Sequence, residues 1–237
     1  MKLIKVAGRV AAISMLIGSA AALNAAEYEE GTHYERLAVP VQTADEARIE
    51  VVEAFSYACI HCKTFDPALE EWHATQGDGV QFRRVPAIFN KTWALFAQAF
   101  YTAEALGVTE QVHTPIFKAI HEQGMDLRDP VLMAKLFETY AGVSQADFDQ
   151  VYNSFGVRSK MQQAQAHSRA YGITGTPSMI VDGQFRTDGQ LAGSNAMMLE
   201  VVDFLVAQQA AQRGIDLPPP AEVRPLLPPA GLSVDSE

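Results

Sequence analysis

Cysteine is almost absent from this chain: there are two in 237 residues, Cys59 and Cys62. A framework of structural disulfides is thereby excluded, and the two thiols can react only with each other or with a partner. Positive charge is also scarce. With 18 Lys and Arg against 28 Asp and Glu, the formal charge is −10, which argues against nucleic acid as a partner. Beyond the first 23 residues no apolar run approaches the roughly 20 residues that cross a bilayer, so no transmembrane domain is expected. There is no internal repeat, and no serine, histidine and acid are spaced for hydrolysis. His113 and His121 lie eight residues apart, but the segment from His121 to Met125 lacks the second histidine of a zinc-protease helix; no metal site is expected there.

What the chain does have begins at its first residues. Lys2, Lys5 and Arg9 precede an apolar stretch over 10–23, and Ala25 and Ala26 follow before the first acid, Glu27. This is the pattern of a secretory signal peptide, expected over 1–25 with cleavage after Ala25 or Ala26; its apolar core is short for a membrane anchor. The leader takes three of the basic residues and none of the acidic ones, so the exported chain keeps 15 basic against 28 acidic. Export places it in an oxidising environment, where a reactive cysteine pair handles disulfides more readily than it stays reduced. At the other end, Pro218, Pro219, Pro220, Pro225, Pro228 and Pro229 deny helix and sheet their backbone donors. The stretch 216–237 is therefore expected to be a flexible proline-rich tail, with a partner-binding polyproline segment as the alternative.

Between these ends the pattern is α/β. Residues 49–55 read as a buried strand, 63–75 as a helix bent near Pro67, and 80–85 as the next strand. From 92 to 167 apolar residues recur at helical spacing: Trp93, Phe96, Phe100 and Leu106, then Ile116, Phe117 and Ile120, then Val131, Leu132, Leu136 and Phe137. Gly107, Gly124, Asp129-Pro130 and Gly142 divide that block into several short helices. Residues 178–181 and 184–186 alternate around Asp182-Gly183, a strong hairpin signal, and Ser194 is placed to cap a final helix reaching about Arg213. Trp72, Trp93 and the phenylalanines are assigned to the core, with the lining of a peptide groove near the cysteines as the alternative for some of them.

Cys59-Ile60-His61-Cys62 follows the first strand directly. Two intervening residues at the start of a helix bring the sulfurs within reach of a closable ring, and unpaired helix amides favour a thiolate at the first position. The same spacing is also half of a zinc site, so the rest of the chain has to decide. Glu53 sits on an otherwise apolar strand, where a carboxylate is costly without a partner; it is a candidate for shuttling the proton of Cys62.

Two strand and helix blocks sharing one sheet, with helices inserted between them, match the plan of an interrupted thioredoxin-like domain. The run from Glu53 to Cys62, the segment Gly175-Thr176-Pro177 before an apolar strand, the start Glu27-Tyr28-Glu29-Glu30-Gly31 and the block Asn153-Ser154-Phe155 resemble the DsbA-type periplasmic thiol:disulfide oxidoreductases. The resemblance covers 27–213. It implies a thioredoxin-like sheet domain in two parts, 26–90 and 169–215, interrupted by a helical domain over 91–168.

The resemblance also implies roles. Cys59 matches the exposed attacking cysteine and Cys62 its buried resolving partner, the two forming the redox-active disulfide. Ile60 departs from the family's proline at that position, while His61 is retained, either to stabilise the thiolate or merely to face solvent at the helix start. Thr176 and Pro177 match the cis-proline loop that binds extended substrate. Glu53 and Arg84 match a buried acid and base beneath the site, and Asp66 is either part of that group or a solvated helix-face acid. The implied reaction is donation of a disulfide to reduced, unfolded exported proteins in the periplasm, with no cofactor. Reoxidation falls to a DsbB-type membrane quinone oxidoreductase, and the protein itself is expected to be monomeric. A reductase or isomerase of the same fold is the alternative, although known exported isomerases carry an added N-terminal domain for which the residues before Ile49 leave no room. A non-enzymatic export chaperone and a metal carrier built on Cys59, His61 and Cys62 are further alternatives; the carrier lacks a fourth ligand.

Overall fold

The computed structural model describes residues 28–217. The expected signal peptide and all but the first two residues of the expected tail lie outside them. The elements run β1 (Glu35–Arg36), β2 (Ile49–Phe55), α1 (Ile60–Thr75), β3 (Val80–Pro86), α2 (Lys91–Leu106), α3 (Thr109–His121), α4 (Pro130–Ala141), α5 (Gln145–Tyr152), α6 (Phe155–Ala170), β4 (Ser178–Val181), β5 (Phe185–Asp188) and α7 (Asn195–Arg213).

The sheet has the order β1-β5-β4-β2-β3, with β2 and β3 parallel and the other neighbours antiparallel. Strand β2 is buried along its whole length because both its faces are covered. On one face α1 and α7 bury Ile49, Val51, Leu69, Trp72, Met179 and Leu205. On the other, Val52, Ala54 and Phe55 pack into the inserted helices through Phe96, Phe100, Phe117 and Phe137. Each of the larger of these side chains contributes about 1.5–3 kcal/mol by leaving water, so β2 is a firm anchor for the loop that follows it.

Local signals set the ends of the elements. Asp182 and Gly183 have φ of 51° and 59°, and the Gln184 amide closes the turn onto the Val181 carbonyl at 3.0 Å, as a type I′ hairpin requires. A Cβ on Gly183 would stand 1.9 Å from the Val41 carbonyl oxygen, so only glycine admits the strap of residues crossing the hairpin. The Ser194 hydroxyl caps α7 by accepting from the Met197 amide. Helix α1 begins three residues earlier than the 63–75 expectation and runs unbroken through Pro67, held by the buried stripe Cys62, Phe65, Leu69 and Trp72. After α7, Leu217 packs back on the body, close to Gly79.

The core assignment of every phenylalanine needs correction. Phe89, in the loop after β3, and Phe155, the first residue of α6, are exposed, and Trp93 is half-buried against Phe89 at 4.8 Å between ring centroids. Both phenylalanines occupy element boundaries, where helical or strand periodicity does not fix a direction. Asp66 is buried, which removes its reading as a solvated helix-face acid.

Candidate active site

Phe55 ends β2, and Ser56, Tyr57 and Ala58 turn the chain into α1. The Cys59 amide bonds the Ser56 carbonyl at 3.0 Å, which closes that turn and makes Cys59 the N-cap of α1. A sulfur at the N-cap faces the helix's unpaired amides: the Cys62 amide donates to Cys59 Sγ at 3.4 Å. Both cysteines are free thiols in this structure.

Their environments differ sharply. Cys59 is held down to about 5 by a hydrogen bond from the Cys62 thiol, against the opposing effect of burial, with further help from Thr176 and the amides of Cys62 and His61. Burial pushes the Cys62 thiol up, reinforced by its bond to Cys59 and by the charge of Glu53. Cys59 keeps only 9% of its surface and Cys62 none, so the expected exposure of the attacking sulfur amounts to a narrow opening.

The Thr176–Pro177 peptide bond is cis, and the loop lies against the cysteines. As a thiol, Cys59 donates to the Thr176 carbonyl at 3.3 Å. As a thiolate it has no proton to give, and the Thr176 hydroxyl, buried and without another partner among the described residues, is the group that can turn a hydrogen toward the sulfur. The side chains of Ile60 and His61 are exposed, and it is the backbone amide of His61 that acts on Cys59.

Beneath the helix lies a buried ionic group. Arg84 Nε bonds Glu53 Oε2 at 2.9 Å, and its terminal nitrogen reaches Asp66 Oδ1 at 3.1 Å and Glu70 Oε1 at 2.7 Å. Burial lifts Glu53 to about 7 even with Arg84 beside it, and the charge of Asp66 lifts it further. Sequence reasoning missed His113, which is buried and bonds Asp66 through Nε2 at 3.0 Å and the Tyr57 hydroxyl through Nδ1 at 2.8 Å. A signal was available: His113 lies on the apolar stripe of α3 with Val112, Ile116 and Phe117, where a histidine needs partners.

A first cysteine at a helix N-terminus, a buried second one, a buried acid beneath them and a cis-proline loop beside them have the arrangement of a dithiol exchange centre. Comparison with known proteins agrees. A DSBA-like thioredoxin domain is matched by residues 79–199. The chain is 40% identical over 190 residues to the thiol:disulfide interchange protein DsbA of Azotobacter vinelandii, covering 80% of this chain and 88% of that one. The chain belongs to the DsbA family. To the DsbA of Pseudomonas aeruginosa it is 37% identical over 84% of its length and 93% of the relative's, a span too long to miss either the cysteine pair or Thr176 and Pro177. The crystal structure of a DsbA from Pseudomonas aeruginosa superposes with a TM-score of 0.75 at 36% identity, covering 79% of this chain and 97% of that one. The helical insertion into a thioredoxin-like sheet is thus the DsbA fold, and the protein is a thiol:disulfide oxidoreductase.

Proposed function

We propose that this DsbA-family protein donates the Cys59–Cys62 disulfide to reduced, newly exported proteins in the periplasm. The observation that carries the reading is the asymmetry of the pair: Cys59 is stabilised as an anion at the helix N-terminus, and Cys62 is driven toward its protonated form by burial. A substrate thiolate attacks Cys59 Sγ, the disulfide breaks, and Cys62 leaves with the bonding electrons and takes a proton, for which Glu53 is the candidate donor. A second substrate thiolate then attacks the substrate's own sulfur in the mixed disulfide, releasing Cys59 as a thiolate. Two electrons have passed from substrate to protein.

Thr176 and Pro177 hold the extended substrate beside Cys59, and the backbone of His61 supports the thiolate. A quinone-linked membrane partner of the DsbB type restores the disulfide. Equilibration of the purified protein with glutathione tests this. A potential well above that of the glutathione couple is the expected result, and one below it would favour a reductase or isomerase instead.

A further inference from the structure

The helical insert reaches into the redox centre through two histidines of α3. His113 faces the Tyr57 hydroxyl at 2.8 Å, and His121 Nε2, two turns further along, donates to the Tyr57 carbonyl at 2.8 Å. Tyr57 stands two residues before the attacking cysteine and is almost wholly buried, its ring packed edge-on against Phe55 and Phe117. Both polar ends of one loop residue are therefore held by one helix of the other domain.

Chemistry fixes the direction of each bond. Asp66 accepts from Arg84 and from His113, so His113 Nε2 carries the hydrogen and Nδ1 is left as an acceptor; the Tyr57 hydroxyl must donate to it. Burial disfavours the charged imidazole, although Asp66 and Glu70 oppose that effect and Arg84 adds to it, so the neutral tautomer is the one that serves. At the other end, the peptide between Tyr57 and Ala58 is bonded on both sides, its carbonyl to His121 and its amide to Ser56 Oγ at 3.2 Å. That plane lies one peptide before Cys59, separated from it only by Ala58. Rotating it would carry the cysteine away from the amide of Cys62 that it faces.

We propose that His113 and His121 are positioning residues, which clamp Tyr57 and thereby hold the Cys59 sulfur against the first-turn amides of α1. The clamp ends a chain of bonded side chains that runs from Glu53 on β2 through Arg84 on β3, Asp66 on α1 and His113 on α3 to Tyr57 in the loop after β2. The loop before Cys59 and the helix after Cys62 are thus referred to each other through the inserted domain. The inference rests on the exchange function above.

The test uses three single substitutions in the purified protein: Tyr57→Phe, which removes only a hydroxyl, His121→Leu, and His121→Gln, which keeps a side-chain N–H donor. For each, the thiolate absorbance of the reduced protein is titrated with pH, the equilibrium with glutathione is measured, and both redox forms are unfolded in denaturant. Tyr57→Phe and His121→Leu should raise the thiolate midpoint by about one pH unit and shift the glutathione equilibrium about tenfold toward the oxidised protein, and His121→Gln should recover most of the change. A purely structural role would weaken both redox forms equally and leave midpoint and equilibrium at the parent values, which overturns the proposal. If His121→Leu does not fold, Tyr57→Phe decides by the same two readouts. A parent midpoint near that of an ordinary thiol would sink the exchange reading itself; a low parent midpoint with unmoved variants sinks the clamp alone.

Discussion

Strands β2 and β3 carry two buried acid–arginine pairs, one on each face of the sheet, and they are built differently. On the side of the inserted helices Arg83 holds Glu50 with two bonds, at 3.0 and 3.1 Å, and among the described residues its only other side-chain partner is the Tyr171 hydroxyl. Under the cysteines, Arg84 gives Glu53 a single bond and divides the rest of its guanidinium between Asp66 and Glu70. One arginine for one acid makes a strut. One arginine for three acids leaves Glu53, the most buried of them, with a share of one positive charge, and its burial raises its affinity for a proton toward neutrality. The two pairs thus differ in how a guanidinium is shared, and the difference can be tested.

The sharpest way to break this contrast is Arg83→Leu. It leaves Glu50 buried without its partner, and should cost about 3–5 kcal/mol equally in the oxidised and reduced forms, with the glutathione equilibrium unmoved. Denaturant melts of both forms measure it, and a shifted equilibrium would mean that the Arg83 side also serves the cysteines.

The Arg84 side should respond to redox state and pH instead. Cys59 has a depressed folded value of about 5, so the stability it contributes to the reduced form is complete above its ordinary value of about 9 and is lost as pH falls through 5. The oxidised form has no such group. The reduced protein is therefore expected to be the more stable at pH 7, and its advantage should shrink by about 2.7 kcal/mol on moving to pH 4. Paired melts at the two pH values check this, and a gap independent of pH would refute it.

Glu53 has the opposite sign. With its folded value raised to about 7 from an ordinary 4.5, its contribution is complete below pH 4.5 and lost as pH rises through 7. Glu53→Gln removes that window, so the stability of the variant relative to the parent should grow by about 2.5 kcal/mol from pH 5 to pH 8. A difference that stays flat across that range would place Glu53 with Glu50 as a strut. The smallest effect is expected from Thr176→Val, which removes the hydroxyl facing Cys59 and should raise the thiolate midpoint by about half a pH unit in an absorbance titration. No change there would leave the Cys62 thiol, aided by the helix amides, as the support of the thiolate.

Much of this centre was legible in the sequence because its signals are local. The cysteine spacing after an apolar strand, Glu53 within that strand, the Asp182-Gly183 turn and the Ser194 cap each depend on a few consecutive residues. What stayed hidden depends on residues far apart in the chain. His113 meets Tyr57 across 56 positions and Asp66 across 47, and neither helical period nor motif spacing encodes such a meeting. Reading the two histidines only for metal spacing overlooked that one of them lies on the apolar stripe of its helix. Phe89 and Phe155 show the converse error, since residue type alone put them inside.

The contact between Cys59 and Thr176 spans 117 positions of the chain. Strand β2, which leads into the cysteines, has β3 as a near neighbour in sequence, but its other neighbour, β4, arrives only after all five inserted helices. A chain emerging from its N-terminal end therefore presents both thiols early, beside an open sheet edge and without the loop that completes their surroundings. The activity is the last thing this chain acquires: it cannot trade disulfides with the selectivity of the finished protein until its own C-terminal third has come home.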